Sequence, residues 1–366
     1  MKRIIFTVTN DLQYDQRMQR ICTSLAKAGY DCTLVGRLLP NSKSLPVFPF
    51  RTYRIKCHFT KGKLFYLEYN LRLFFYLMQQ KTWAICAVDL DTLLPATLVS
   101  KMRKYKLVYD AHEYFTEVPE VVNRKSVKAI WEWVAKTCIP KADLCYTVGP
   151  KLAEILGHKY NNEFGVIRNL PVSALPEIDK GSLAKEPRQS GQFILYQGAL
   201  NEGRGLEALI EASNELPISI LIAGEGDLSH SLREKAKSLK TENVQFLGFI
   251  KPAELKAITA KAWLGYNLLE NKGLSYYYSL ANKFFDYANA GVPCLNSNFP
   301  EYTALNNEYD CSVQIELTKE TIVGAVQKLL NDESEYNRLS VNSKNMAAKL
   351  NWENEEKELT KLYEQL

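Results

Sequence analysis

The residues best suited to hold an anion lie in the second half of the chain. Gln197-Gly198-Ala199-Leu200-Asn201-Glu202-Gly203-Arg204-Gly205-Leu206 follows the apolar run FILYQG (193–198) and leads into a helical pattern. Three glycines permit close backbone approach, and a guanidinium at a helix start can hold phosphate through two parallel hydrogen bonds. The same glycines also serve a chain that merely turns, so both readings stand at this level. Ala223-Gly224-Glu225-Gly226-Asp227 closes another apolar run and is equally able to pack a base or to turn the chain. Ser279-Leu280-Ala281-Asn282-Lys283-Phe284-Phe285-Asp286-Tyr287 reads as a helix that offers Lys283 to phosphate. Asp286, nearly one turn further on, is placed to accept two hydrogen bonds from a ribose diol.

The first half offers a different chemistry. Of the four histidines (58, 112, 158 and 230), only His112 stands at the end of a strand-like run, between carboxylates in Asp110-Ala111-His112-Glu113. That position suits a cleft group better than a core imidazole. Thr9-Asn10-Asp11-Leu12 follows the first apolar run without any G-x-G-x-x-G, which argues against a nicotinamide or flavin site. Asn10, Asp11 and Asp15 suit contact with hydroxyl groups, with a helix cap the alternative for Asp15.

These residues need elements to carry them. Short β-branched or aromatic runs at 3–8, 32–37, 84–89, 106–111, 144–149 and 164–169 alternate with helical patterns, the first at 17–29. Alternation of this kind predicts right-handed βαβ units and a parallel sheet. The stretch 170–192, with Pro171, Pro176 and Pro187, lacks periodicity and reads as a linker. Strands are then predicted at 193–198, 219–224, 244–249, 264–269 and 292–297, with helices at 205–214, 228–239, 252–261 and 280–290. Trp352, Leu359, Leu362 and Tyr363 mark a closing amphipathic helix. The expected fold class is α/β, with two Rossmann-like doubly wound parallel-sheet domains facing across a cleft. The expected boundaries are 1–175, joined by the closing helix 351–366, and 190–350. In such sheets the ligand residues belong in loops after strands.

The 366 residues are 46% hydrophobic and 24% charged, which excludes disordered, collagenous and disulfide-scaffold proteins. Eight cysteines without CxxC spacing read as reduced core thiols. No uncharged apolar run is long enough to span a bilayer, and the expected location is cytoplasmic. Residues 1–175 carry 26 basic and 14 acidic side chains, whereas the remainder carries 20 and 27. The basic half should face an anionic partner, and no nucleic-acid-binding motif is present. Residues 51–81, with seven basic side chains and one acid among many aromatic and aliphatic ones, read as a surface segment for the inner face of an anionic membrane. A helix packed on the sheet with solvated lysines is the competing reading.

Taken in order, Asp110–Glu113, ADLCYTVG (142–149), VIRNLP (166–171), YQGALNEGRG (196–205), AGEGDL (223–228), VQFLGF (244–249) and SLANKFFDYANAGVP (279–293) resemble a known family. The chain resembles family 4 glycosyltransferases, the group 1 enzymes of GT-B fold. The resemblance implies a retaining transferase that moves a sugar from a nucleoside-diphosphate donor to a glycan or lipid-linked acceptor in cell-envelope polysaccharide assembly. It implies no cofactor and no metal; the nucleotide sugar is a substrate. It makes Arg204 the diphosphate grip, with Lys283 of the Asn282-Lys283 element sharing that task, and Asp286 the ribose ligand. Gly198, Gly224, Glu225, Gly226 and Glu270 complete the donor side. His112 becomes the cleft histidine near the sugar, with Asn10, Asp11 and Glu113 on the acceptor side. The sequence departs from the family at Tyr278, where a first glutamate is expected, and at Ala199, where an arginine is frequent. Asp89-Leu90-Asp91 has metal-ligand spacing, but in the half away from the expected diphosphate. A donor-binding inactive subunit and a nucleotide-sugar epimerase of the same architecture are the alternatives.

Overall fold

The computed structural model describes residues 1–173 and 191–366, so most of the predicted linker 170–192 lies outside the described residues. The chain divides into two compact units. The first comprises Met1–Asn169, Gly273–Ser275 and Glu355–Leu366; the second comprises Leu170–Lys272 and Tyr276–Asn354.

In the first unit the strands are β1 (Arg3–Thr7), β2 (Asp31–Leu38), β3 (Arg51–Lys56), β4 (Ala84–Val88), β5 (Lys106–Ala111), β6 (Leu144–Thr147) and β7 (Phe164–Val166). Its helices are α1 (Gln16–Lys27), α2 (Gly62–Met78), α3 (Leu93–Arg103), α4 (Pro119–Val122), α5 (Lys125–Cys138) and α6 (Pro150–Tyr160). The sheet runs β3-β2-β1-β4-β5-β6-β7, parallel throughout. The order reverses beside β1, which puts the loops after β1 and β4 next to each other. Central strands such as AICAV are buried on both faces, the reason they read as continuous apolar runs.

The second unit begins with β8 (Phe193–Gln197), α7 (Leu206–Ala212), β9 (Ser219–Ala223), α8 (Ser229–Ser238), β10 (Val244–Gly248) and α9 (Pro252–Lys261). It continues with β11 (Leu264–Asn267), α11 (Asn282–Asn289), β12 (Cys294–Ser297), α12 (Pro300–Tyr309) and β13 (Ser312–Ile315), while the short α10 (Leu274–Tyr277) between β11 and α11 is divided between the units. Helices α13 (Lys319–Asn331), α14 (Glu333–Lys349) and α15 (Trp352–Gln365) follow. This second parallel sheet is ordered β10-β9-β8-β11-β12-β13, with apolar clusters built around Ile220 and Leu264 and around Phe284 and Tyr287.

The edge strands β3 and β13 were not anticipated. RTYRIK alternates, but its charges follow from an exposed edge position and mask the strand pattern. SVQI is only four residues long. Residues 51–81 therefore form a strand, a turn and helix α2, whose Phe65, Tyr69, Leu73 and Leu77 are buried.

Most of α15 belongs to the first unit, and packing explains why. Tyr363 is wholly buried, 6.3 Å from the Phe6 ring and 6.1 Å from Tyr30, with its hydroxyl 3.3 Å from that of Tyr146. Glu355 accepts the Arg168 amide at 2.5 Å, and Glu356 accepts the Ser24 hydroxyl at 2.5 Å. An aromatic contact fixes the helix in depth, and the two carboxylates fix its register.

Candidate functional site

In the second unit the strand ends of β8 and β9 are laced together. Gly198 donates to the Ala223 carbonyl at 3.0 Å, Leu200 to that of Glu225 at 3.3 Å, and Leu228 to that of Leu200 at 2.8 Å. Gly224 has φ +144°, and a Cβ there would collide with the Gly198 carbonyl. A Cβ on Gly226 would meet the Leu200 backbone at 2.6 Å. These two glycines thus let one loop lie against the other, whatever else they admit. Glu225 points to α8, where Arg233 holds it through bonds of 2.6 and 3.2 Å.

Above this floor stand two cations. Arg204 lies over the Tyr276 ring, with its guanidinium carbon 4.7 Å from the centroid. Gly203 makes this stack possible, because a Cβ there would meet Tyr276 Cε2 at 2.6 Å. Arg204 Nε is buried and without a hydrogen-bond partner among the described residues. The Lys283 ammonium sits 3.9 Å above the Tyr196 ring, and the residue is only 8% exposed. A Cβ on Gly198 would lie 3.5 Å from Lys283 Nζ, so the ammonium borders the glycine loop. Among the described residues Lys283 has no hydrogen bond and no carboxylate within ion-pair reach. Burial, and then the Arg204 charge, push its pKa well below the lysine range. A buried ammonium facing a guanidinium without a counter-charge is costly, and an anion of two negative charges would relieve it.

The remaining donor-side residues differ in their freedom. The Asp286 carboxylate accepts from Gln197 Nε2 at 3.0 Å, and Gln197 in turn accepts the Thr259 hydroxyl at 2.6 Å. Glu270 donates its amide to the Gly203 carbonyl at 2.9 Å, which places it beside the loop. Its carboxylate already holds Lys272 at 2.8 Å, and Lys272 also reaches Glu202 at 2.7 Å. Asn282 is exposed in the first turn of α11. Tyr302 fixes the start of that helix by accepting the Ala281 amide at 2.9 Å. Tyr278 packs edge-on to Tyr277 at 4.9 Å, and Ala199 lends its carbonyl to the Tyr196 hydroxyl at 2.6 Å.

In the first unit, His112 is held on two sides. Its amide donates to Asp89 Oδ1 at 2.9 Å, and its Nε2 is 3.1 Å from Asp110 Oδ2. Asp110 is wholly buried and receives Arg17 at 2.9 Å, while Arg17 also donates to the Ile167 carbonyl at 2.9 Å. Burial opposes the charge of His112, but Asp110 outweighs it and raises the imidazole pKa. For Asp110 burial is likewise overcome, here by Arg17 and His112, and the carboxyl falls below the usual range. Asp89 has φ +55°, a left-handed backbone unusual for aspartate, and burial raises its pKa well above the carboxylate range. Burial also pushes Asp91 up to about 6, against the opposing hydrogen bond from the Thr9 hydroxyl.

Thr9, Asp89, Asp91, Asp110 and His112 therefore tie together the loops after β1, β4 and β5. Asn10 and Asp11 border this group but are occupied. Asn10 donates to Asp15 at 2.8 Å, and Asp15 caps α1 by accepting the Met18 amide at 3.0 Å. Asp11 receives Arg54 at 3.2 Å and the Ser42 hydroxyl. Glu113 is exposed at the rim. Sequence reasoning passed over Arg17 and Tyr276 and set Asp89 and Asp91 aside. The DLD spacing was a usable signal for the two aspartates, whereas nothing local marks Arg17 or Tyr276.

Two parallel doubly wound units with these strand-end sites define the GT-B class. Residues 180–346 match the family model described as Glycosyl transferases group 1. The whole chain superposes on sucrose-phosphate synthase from Thermosynechococcus elongatus, with TM-score 0.77, 17% identity, and coverage of 100% of this chain and 99% of that one. Anabaena HepE, solved with UDP-glucose, gives TM-score 0.77 at 13% identity over 100% of both chains. WaaG, a glycosyltransferase involved in lipopolysaccharide biosynthesis, gives 0.69 at 15% identity over 98% of this chain and 99% of that one. No curated protein matches the chain in sequence. Among the described residues no helix is long and apolar enough to cross a membrane.

Proposed function

We propose that the protein is a glycosyltransferase that takes a sugar from a nucleoside-diphosphate donor. One observation carries this reading: buried Lys283 and half-buried Arg204 feel each other's charge with no counter-charge among the described residues, beside the glycine loop of a segment matching group 1 glycosyl transferases. Cleavage of the nucleotide–sugar bond leaves negative charge on the diphosphate. Two preorganised cations stabilise that charge more in the transition state than in the ground state, the condition for rate enhancement. Because the chain supplies both charges, the reaction is proposed to run without a metal. Tyr276 and Tyr196 position the two cations, Asp286 and Asn282 face the nucleoside side, and Gly198 admits the phosphate. His112, held by Asp89 and Asp110, is assigned to steady the transferred sugar, and Glu113, Asn10 and Asp11 to the acceptor side.

The finer reading is retention of configuration and an acceptor that is a glycan or lipid-linked sugar of the cell envelope. The fold shared with HepE, which holds UDP-glucose, and with WaaG, which acts in lipopolysaccharide synthesis, supports this assignment. The test is release of nucleoside diphosphate from a panel of nucleotide sugars, with and without membrane extract. Turnover with at least one donor is expected, undiminished by EDTA, and NMR of the product should show the donor's own anomeric configuration. Donor binding without turnover under every condition would return the protein to the class of inactive donor-binding subunits.

A further inference from the structure

Helix α2 is apolar on two opposite sides. One side, Phe65, Tyr69, Leu73 and Leu77, is buried. Leu64, Leu67, Leu71 and Phe75 form a single line on the other, and they are 55, 59, 52 and 61% exposed. A surface helix ordinarily turns polar residues outward, and one apolar all round requires a cover on both faces. The stripe is not isolated. Helix α3 packs along α2 and turns Leu98 and Met102 outward, 46 and 60% exposed. Helix α5 packs against α3, meets α2 through the Tyr66–Trp131 ring contact at 5.5 Å, and leaves Ile130 and Trp133 53 and 56% exposed.

Three neighbouring helices thus present large apolar side chains to solvent, one of them an indole suited to a bilayer interface. The charges between those side chains select the partner. Together the three helices carry seven Lys or Arg and two Glu. Glu68 is held by Arg72 at 2.8 Å and Glu132 by Lys159 at 2.7 Å, while Lys128 is taken by Glu117 at 2.5 Å, so the charge left over on these helices is still positive. Lys101, Arg103 and Lys104 end α3 beside Met102, and Lys136 follows Trp133 by three residues.

We infer that the outward faces of α2, α3 and α5 form a docking surface for an anionic lipid bilayer. Leucine, methionine and tryptophan side chains enter the headgroup boundary, and the lysines meet lipid phosphates. This inference rests on the proposed transferase only for its purpose, delivery of the second substrate from a membrane. The surface itself stands on exposure and charge.

The test is vesicle flotation of the full chain without donor or acceptor, so that its outcome is independent of transfer activity. Vesicles of phosphatidylcholine alone are compared with mixtures containing phosphatidylglycerol, at low and high salt. Binding to the mixed vesicles only, weakened by salt, is expected. The double variant Leu71→Gln/Phe75→Gln should bind about tenfold or more weakly. Ile130→Gln/Trp133→Gln should show a comparable loss, because α5 shares the surface. Both pairs are solvent-exposed, so an unchanged unfolding midpoint and nucleoside-diphosphate affinity separate lost docking from lost fold. Failure to float with mixed vesicles, equal binding to neutral ones, or indifference to both double variants would overturn the inference. So would concentration-dependent self-association abolished by the same variants, which would give this face to a second copy of the chain.

Discussion

Each unit sets an arginine near a second titratable group, Arg17 buried in the first and Arg204 half-buried in the second, and the two do opposite things. In the first unit Arg17 meets Asp110 at 2.9 Å, and Asp110 meets His112, so these three groups compensate one another. In the second unit Arg204 and Lys283 each lie over an aromatic ring, and neither has an ion-pair partner among the described residues. A paired buried charge is a structural element, whereas an unpaired cation pair implies that something anionic arrives later. The Arg17–Asp110 pair should thus behave as part of the fold and the second cluster as part of a binding reaction.

The sharpest way to break this contrast is to remove one cation from each side. Arg17→Met leaves Asp110 charged in the interior and should cost about 3–5 kcal/mol in urea unfolding. Lys283→Met removes a charge that burial already disfavours, so the ligand-free protein should unfold at the same or a higher midpoint. Equal destabilisation by both variants would erase the distinction.

Asp91 tests the electrostatics of the first cluster. Its pKa rises from 3.8 to about 6 through burial, so the folded state retains a proton that the unfolded chain has lost. That contribution to stability is fully present below about pH 4 and is lost as pH rises through about 6. Asp91→Asn should therefore gain stability over the parent across that window, by at most about 3 kcal/mol, and no further above it. Unfolding free energies measured from pH 4 to 8 check the sign, and a constant difference would contradict it.

Ligand stabilisation sharpens the second cluster. A nucleoside diphosphate at 100 times its dissociation constant should stabilise the parent by about 2.7 kcal/mol, and Arg204→Ala and Asp286→Ala should each abolish the thermal shift. A bound diphosphate favours the charged form of Lys283 and raises its pKa again, so binding takes up protons wherever the pH lies between the two values. Affinity should then fall as pH rises through the interval between the lowered pKa and the ordinary lysine value. Calorimetry in buffers of different ionisation enthalpy reads the proton directly. The smallest effect is expected at Glu225, whose exposed pair with Arg233 contributes about 0.5 kcal/mol or less. Glu225→Gln should leave donor affinity unchanged; a marked loss would return Glu225 to the binding site.

Local pattern carried far into this protein. The βαβ alternation placed most strands within a residue or two, because strands buried on both faces must be short apolar runs. Pattern could single out Arg204 and His112 because they stand in loops after strands, and Lys283 because it stands in the first turn of a helix. The edge strands β3 and β13 were not, since an edge is charged or brief for reasons that hide its period. The aspartates of the DLD segment were seen but set aside, because their neighbour in space, His112, lies more than twenty positions away.

The amino-acid order alone determined the α/β class, the opposite charge of the two halves, and which strand ends carry reactive groups, since periodicity and composition are local quantities. Tertiary structure alone decided which of those groups are already paired. Asp11 with Arg54, Glu270 with Lys272 and Glu225 with Arg233 are contacts between separate segments, and no local pattern announces them. It likewise decided that Lys283 is unpaired among the described residues, because a missing partner is a property of the space around a side chain.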